Sequence, residues 1–92
     1  MENLIILEQG LKAFRQHPLS VLEGQVFWHL TEILPITGGV VVTSNLSDDL
    51  KLSYIRVNLG IKKLRETGFI MRGVKFGRSY HYKLNPTFFR YL

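Results

Sequence analysis

The strongest limit on the fold is set by residues 52–70, "LSYIRVNLGIKKLRETGFI", where the hydrophobic period changes from helical to strand-like within a few residues. Val57, Ile61 and Leu64 recur at i, i+4 and i+7, the spacing of one buried helix face. Thr67-Gly68 stops the helix, because glycine adopts the left-handed conformation that closes a helix end without steric penalty. "FIMRGVKF" and "SYHYKLN" then read as two strands joined at Gly77-Arg78, a tight hairpin turn, with Gly73 marking a bulge. Ser53 is placed to cap the helix, behind a short break at Lys51-Leu52.

Upstream, residues 3–16 put Leu4, Leu7, Leu11 and Phe14 on one helical stripe, weakened by Gly10 and ended by His17-Pro18. Ser20 and Glu23 have capping-box spacing and open a second helix. Its expected core stripe is Leu22, Val26, Leu30 and Ile33 with Leu34 beside it, and Pro35 ends it. Trp28 and Val21 point elsewhere, toward the first helix or a second subunit. Gly38-Gly39 is a turn, and "VVVT" is a short strand. A brief helix over 44–51 follows, capped by Thr43 or Ser44, with Leu46 and Leu50 buried and Asp48 and Asp49 near its positive end. Pro86 opens a tail, "PTFFRYL", whose aromatic residues need cover from the domain or from a partner.

Two helices joined by a short turn and followed by a hairpin make a winged helix-turn-helix. The expected class is therefore α+β, mainly helical: a three-helix core, a β-hairpin wing and an extra N-terminal helix. One domain is expected over 1–92, divided into an N-terminal helix (1–17), a core (18–85) and a C-terminal tail (86–92). A chain of 92 residues buries roughly 60–65% of its extended surface, enough for one core without staples. The sequence holds no cysteine, which excludes disulfides, thiolate metal sites and cysteine nucleophiles and suits a reducing compartment. "MENLIILEQG" has neither the basic start of a signal peptide nor the roughly 20 apolar residues of a membrane span, so a cytoplasmic protein without membrane contact is expected.

Charge points to a partner. Residues 1–50 carry 2 Lys/Arg against 6 Asp/Glu, a balance of −4; residues 51–92 carry 10 against 1, a balance of +9; the whole is +5. Such asymmetry presents one strongly positive face, the footprint of a polyanion binder, although a basic surface that is simply solvated has the same composition. With Val57, Ile61 and Leu64 turned inward, the outward arc of the helix carries Ile55, Leu59 and Lys62. Arg56 and Lys63 lie on one flank; Tyr54, Asn58 and Arg65 lie on the other.

A recognition helix in the DNA major groove uses such an arc. An apolar side chain meets the thymine methyl, arginine and asparagine pair with guanine and adenine, and further cations hold phosphates. Lys62, Lys63 and Arg65 suit phosphates. Ile55 and Leu59 could equally pack on the N-terminal helix or on a second subunit, and Asn58 could be merely solvated. Gly60 is better explained by a close helix crossing than by chemistry. Lys75, Arg78 and Ser79 cluster at the hairpin turn, where a basic tip can follow the minor groove.

No enzyme is expected. His17, His29 and His81 are scattered, His29 at a core edge and His81 on a strand surface. Asp48-Asp49 is a pair of helix charges rather than an acid–base dyad, and no phosphate-binding glycine loop of the P-loop type is present. Neither a metal nor a cofactor is expected.

Residues 22–85 resemble the winged-helix domains of MarR-type regulators, and are similar to RepL-type plasmid replication proteins. The residues that carry this are Leu46, Leu50, Leu52-Ser53, Val57, Ile61, Leu64, Gly68-Phe69-Ile70 and Arg72, with "YKLNPTFF" near the end matching the plasmid group. The resemblance implies binding of double-stranded DNA through Ser53, Tyr54, Arg56, Asn58 and Lys62. The chain departs from the pattern at Lys51, where the turn usually has glycine, and at Ile55 and Leu59, which replace polar readers; its hairpin turn is also short.

The expected function is sequence-specific DNA binding by a transcriptional repressor acting as a homodimer. The first helix, Trp28 and "FFRYL" are the surfaces assigned to dimer contact. The alternatives are a plasmid replication or maintenance protein that binds origin DNA, suggested by Asn85-Pro86, and a winged helix used only for protein–protein contacts.

Overall fold

The computed structural model describes residues 3–92, so the first two residues of the expected 1–17 element lie outside it. The element order is β1 (Leu4–Ile6), α1 (Glu8–Gln16), α2 (Val21–Ile33), β2 (Gly39–Val41), α3 (Thr43–Leu50), α4 (Tyr54–Glu66), β3 (Ile70–Phe76), β4 (Ser79–Leu84) and β5 (Phe89–Tyr91). This is an α+β arrangement in which two small antiparallel sheets accompany the four helices. In the larger sheet β4 lies between β2 and β3; the smaller pairs β1 with β5. None of the described helices is long and apolar enough to cross a membrane.

The second half follows its sequence pattern closely. Ser53 Oγ accepts the Arg56 N–H and opens α4, whose Val57, Ile61 and Leu64 are all buried. Its end is a Schellman motif: Gly68 at φ 85° lets the Phe69 N–H reach Leu64 O at 3.0 Å and the Gly68 N–H reach Arg65 O at 3.1 Å. β3 and β4 are joined by a two-residue turn between Phe76 and Ser79, with Gly77 at φ 62°. The register shift between Arg72 and Lys75 is the bulge expected at Gly73. Gly60 is buried where a side chain would sit 3.0 Å from Val26 Cγ2, so its absence permits the close crossing of α4 on α2.

The N-terminal element differs from its expectation. Residues 4–6 form a strand rather than the first turn of a helix, because the C-terminal segment supplies a hydrogen-bonding partner that sequence periodicity cannot show. Ile5 pairs with Arg90, and Leu7 N–H donates to Phe88 O at 2.8 Å. The expected stripe holds only in part: Leu4 and Phe14 pack against the core, but Leu11 is 46% exposed and Gly10 and Ala13 are buried. In α2 Ser20 Oγ accepts the Glu23 N–H as expected of the cap, while the Glu23 carboxylate accepts the Ser20 hydroxyl rather than closing the full capping box. Ile33, however, is exposed and Phe27 is wholly buried, since the face that α2 turns to the core runs through Val26, Phe27, Leu30 and Leu34 and leaves Ile33 outside it.

Two smaller corrections concern 40–51. Strand β2 covers Gly39–Val41, and α3 begins at Thr43 behind Val42, with no side-chain cap. Asp48 and Asp49 therefore fall in the last turn of α3, away from its positive end, and Asp49 instead meets His29 Nε2 of α2 at 3.3 Å.

The tail aromatics are covered by the chain itself. Phe14, Phe27, Phe69 and Phe89 form one cluster joining α1, α2, β5 and the residue before β3, with Phe14 stacked on Phe69 at 4.6 Å and Phe27 5.3 Å from Phe89. Each such contact adds about 0.5–1.5 kcal/mol beyond area burial. Trp28 lies on Phe14 at 6.4 Å, one of the two placements expected for it. Asn85 sets the turn into β5: its side-chain amide donates to Gly68 O at 2.8 Å, its Oδ1 accepts the Thr87 N–H, and its carbonyl accepts from Phe88 and Phe89. The dimer role given to "FFRYL" needs correction accordingly, because Phe89 is core and Phe88 and Tyr91 pack against it.

Candidate nucleic-acid interface

The placement of α4 depends on the turn before it. Lys51 takes φ 55° and ψ 41°, the left-handed conformation that glycine would adopt freely. This lets the Leu52 N–H return to Ser47 O at 3.1 Å, while Ser47 Oγ donates to Leu52 O. The departure at Lys51 thus leaves the turn geometry intact. Thr43 Oγ1, at the start of α3, donates to Asn58 Oδ1 at 3.5 Å, a weak link between α3 and α4.

One flank of α4 faces the sheet across a cleft of about 280 Å³. Tyr54, Asn58, Lys62 and Arg65 line its helical side; Arg72, Arg78, Ser79, Tyr80 and Tyr82 line the hairpin side. Six of the residues expected at the site therefore share one space: Tyr54, Asn58, Lys62, Arg65, Arg78 and Ser79. The other five do not line it. Ser53 is occupied as a helix cap, and Ile55, Arg56 and Lys63 point away on the exposed side of α4. Lys75 lies farther out, with its ammonium 5.6 Å from the centre of the Tyr80 ring.

Arg72, Tyr80 and Tyr82 join the cleft in addition to the residues expected there. Their signal was present in the strand alternation. Arg72 pairs in register with Tyr82, and Tyr80 follows on the same face two residues away. In the fold the Arg72 guanidinium carbon lies 4.3 Å above the Tyr80 ring, a cation–π contact that fixes the side chain at the cleft wall. Burial pushes the Tyr82 phenol above its ordinary pKa of 10.0, partly offset by the positive charges of Arg65 and Arg72.

The cleft is electrostatically one-sided. Lys62, Arg65, Arg72 and Arg78 converge on it, and among the described residues no carboxylate lines it. Among the described residues the ion pairs are Lys12–Glu8, His29–Glu32 and His29–Asp49, so none of the cations at the cleft has an acidic partner within 4.0 Å. Like charges gathered without counter-ions repel one another, and an anion placed between them removes that repulsion. Three tyrosine rings, two aliphatic hydroxyls and the Asn58 amide add hydrogen-bonding groups suited to phosphate or sugar oxygens.

The apolar pair expected on the outward arc is uncovered. Ile55 is 71% exposed and Leu59 56%, so neither packs on the N-terminal helix. His29 is half-buried between Asp49 and Glu32, matching its expected core-edge position, and His81 lies half-buried on β4. Comparison with protein-family models and with curated proteins finds no match for this chain.

Proposed function

We propose that the chain binds double-stranded DNA as a winged helix-turn-helix protein, with α4 in the major groove and the β3–β4 hairpin as its wing. The observation that carries this reading is the cleft where Lys62, Arg65, Arg72 and Arg78 meet with no acid among the described residues. The order of three helices and three strands from α2 to β4, with β4 between β2 and β3, supports the same reading. In it the cleft cations hold the backbone of one strand, while Arg56 and Lys63 on the opposite flank of α4 face the other. These contacts supply affinity and register. The most economical role is a transcriptional repressor. As a homodimer it would read half-sites about 10–10.5 bp apart. With Phe89 committed to the core, its dimer contact would draw on exposed Leu11, Val21 and Trp28.

The test is a fluorescence-anisotropy titration of duplex DNA at two salt concentrations. The four cleft cations alone give a log–log slope of about −3.6, or roughly a hundredfold loss of affinity from 50 to 200 mM salt, and Arg56 and Lys63 steepen it toward about −5.4. Reversing charge with Arg56→Glu and Lys62→Glu together abolishes binding. Affinity that is indifferent to salt and to both changes refutes the reading and favours a module that contacts only proteins. Selection from a random duplex pool then separates roles: a palindrome fits a dimeric regulator, and tandem repeats fit an origin binder.

A further inference from the structure

We infer that Ile55 and Leu59 are specificity-determining residues that seat on the C5 methyl groups of thymine, so that the chain selects duplexes with two closely spaced thymines. The inference rests on the duplex-binding reading above and adds which bases are read. It begins from an imbalance on α4. The helix buries Val57, Ile61 and Leu64 completely or nearly so, yet leaves Ile55 71% and Leu59 56% exposed. At about 100° per residue these two fall about 160° and 200° round the axis from Val57, astride the line farthest from the core. They form an apolar ridge along the outermost edge of the helix.

What flanks the ridge identifies its occupant. Arg56 and Lys63 border it on one side, and Lys62 on the other, with Arg65 beyond at the cleft. A second copy of the chain docked here would gather these cations across an isologous interface, with Glu66 the single acid of the helix to offset them, which is repulsive on balance. A major groove has the complementary layout: phosphates on both walls and base edges on the floor. Thymine alone among the four bases presents an apolar group there. Ile55 and Leu59 can neither donate nor accept a hydrogen bond, so against guanine or cytosine edges they would displace water and leave polar groups unmet.

The spacing agrees. Residues four apart rise about 6 Å along a helix, against about 3.4 Å between successive base pairs, so the two side chains reach methyls one or two steps apart.

The experiment takes the best duplex from the random-pool selection and replaces its thymidines one at a time with deoxyuridine. That change deletes the methyl and keeps every hydrogen-bonding group and charge. Two neighbouring positions are expected to lose about fourfold in affinity each, the equivalent of roughly 0.8 kcal/mol for one buried methyl-sized group. Ile55→Ala is expected to erase the penalty at one position and Leu59→Ala at the other, with the salt slope and the urea midpoint of both variants unchanged. Deoxyuridine without effect at any position overturns the inference while leaving duplex binding intact; so does a penalty that survives in both variants. If instead the variants lose self-association with the penalties unaltered, the ridge is a contact between copies and the inference falls. Absence of any duplex binding defeats the functional reading itself.

Discussion

Gly10 separates local helix propensity from tertiary constraint, and Gly10→Ala is the sharpest stability test of the fold. In an isolated helix the change is favourable by about 1 kcal/mol. Here an alanine Cβ would stand 2.5 Å from Phe88 O and 3.1 Å from Ile6 Cγ2. The carbonyl cannot step aside cheaply, because it accepts the Leu7 N–H at 2.8 Å and so anchors the end of the β1–β5 pairing. Forcing a methyl into such a site costs about 1–3 kcal/mol, and breaking that hydrogen bond about 1 kcal/mol more. The net expectation is a loss of about 1–3 kcal/mol, opposite in sign to propensity.

Gly24 provides the control within the same molecule. It lies early in α2, and an added Cβ would meet nothing nearer than Trp28 Cδ1 at 4.0 Å. Gly24→Ala should therefore realise the gain of about 1 kcal/mol. Urea unfolding followed by the single tryptophan, Trp28, reads both variants. With a slope near 1 kcal/mol/M for a small domain, the midpoint should fall by about 1–3 M for Gly10→Ala and rise by about 1 M for Gly24→Ala. A rise in both would refute the close docking of α1 on the C-terminal segment.

Three further outcomes are expected. Lys51→Gly should raise stability by about 0.5–1 kcal/mol in the same assay, since a left-handed lysine costs about 1–2 kcal/mol and glycine returns part of the gain as backbone entropy; a lower midpoint would contradict the turn geometry. Arg72→Gln should weaken duplex binding and reduce the magnitude of the salt slope by about 0.9, and an unchanged slope would remove Arg72 from the phosphate contacts. For Tyr82 the folded chain keeps the phenolic proton at a pH where the unfolded chain has lost it, so its stabilising contribution is complete below pH 10.0 and is lost as pH rises through the higher folded pKa. Wild type should therefore lose stability more steeply above pH 10 than Tyr82→Phe; equal slopes would mean that the phenol is not buried as described.

The candidate site was legible where a single element carries it. The helical face of Val57, Ile61 and Leu64 fixes which way α4 turns, and that orientation places Tyr54, Asn58, Lys62 and Arg65 on one flank. Arg72, Tyr80 and Tyr82 were harder to see as site residues. Their part in it depends on which face of the sheet turns toward α4, and strand alternation defines two faces without choosing between them.

Local sequence by itself determined the caps at Ser20 and Ser53, the Gly68 stop, the hairpin turn and the Gly73 bulge, because each is settled within a few residues by hydrogen bonding or backbone sterics. Tertiary structure alone decided that Leu4–Ile6 is a strand, that Phe27 rather than Ile33 is core, and that Phe89 closes the aromatic cluster. Those outcomes depend on partners more than eighty residues away in the case of β1 and β5. A weak local preference yields when a distant segment satisfies the same backbone groups and buries the same apolar surface more completely.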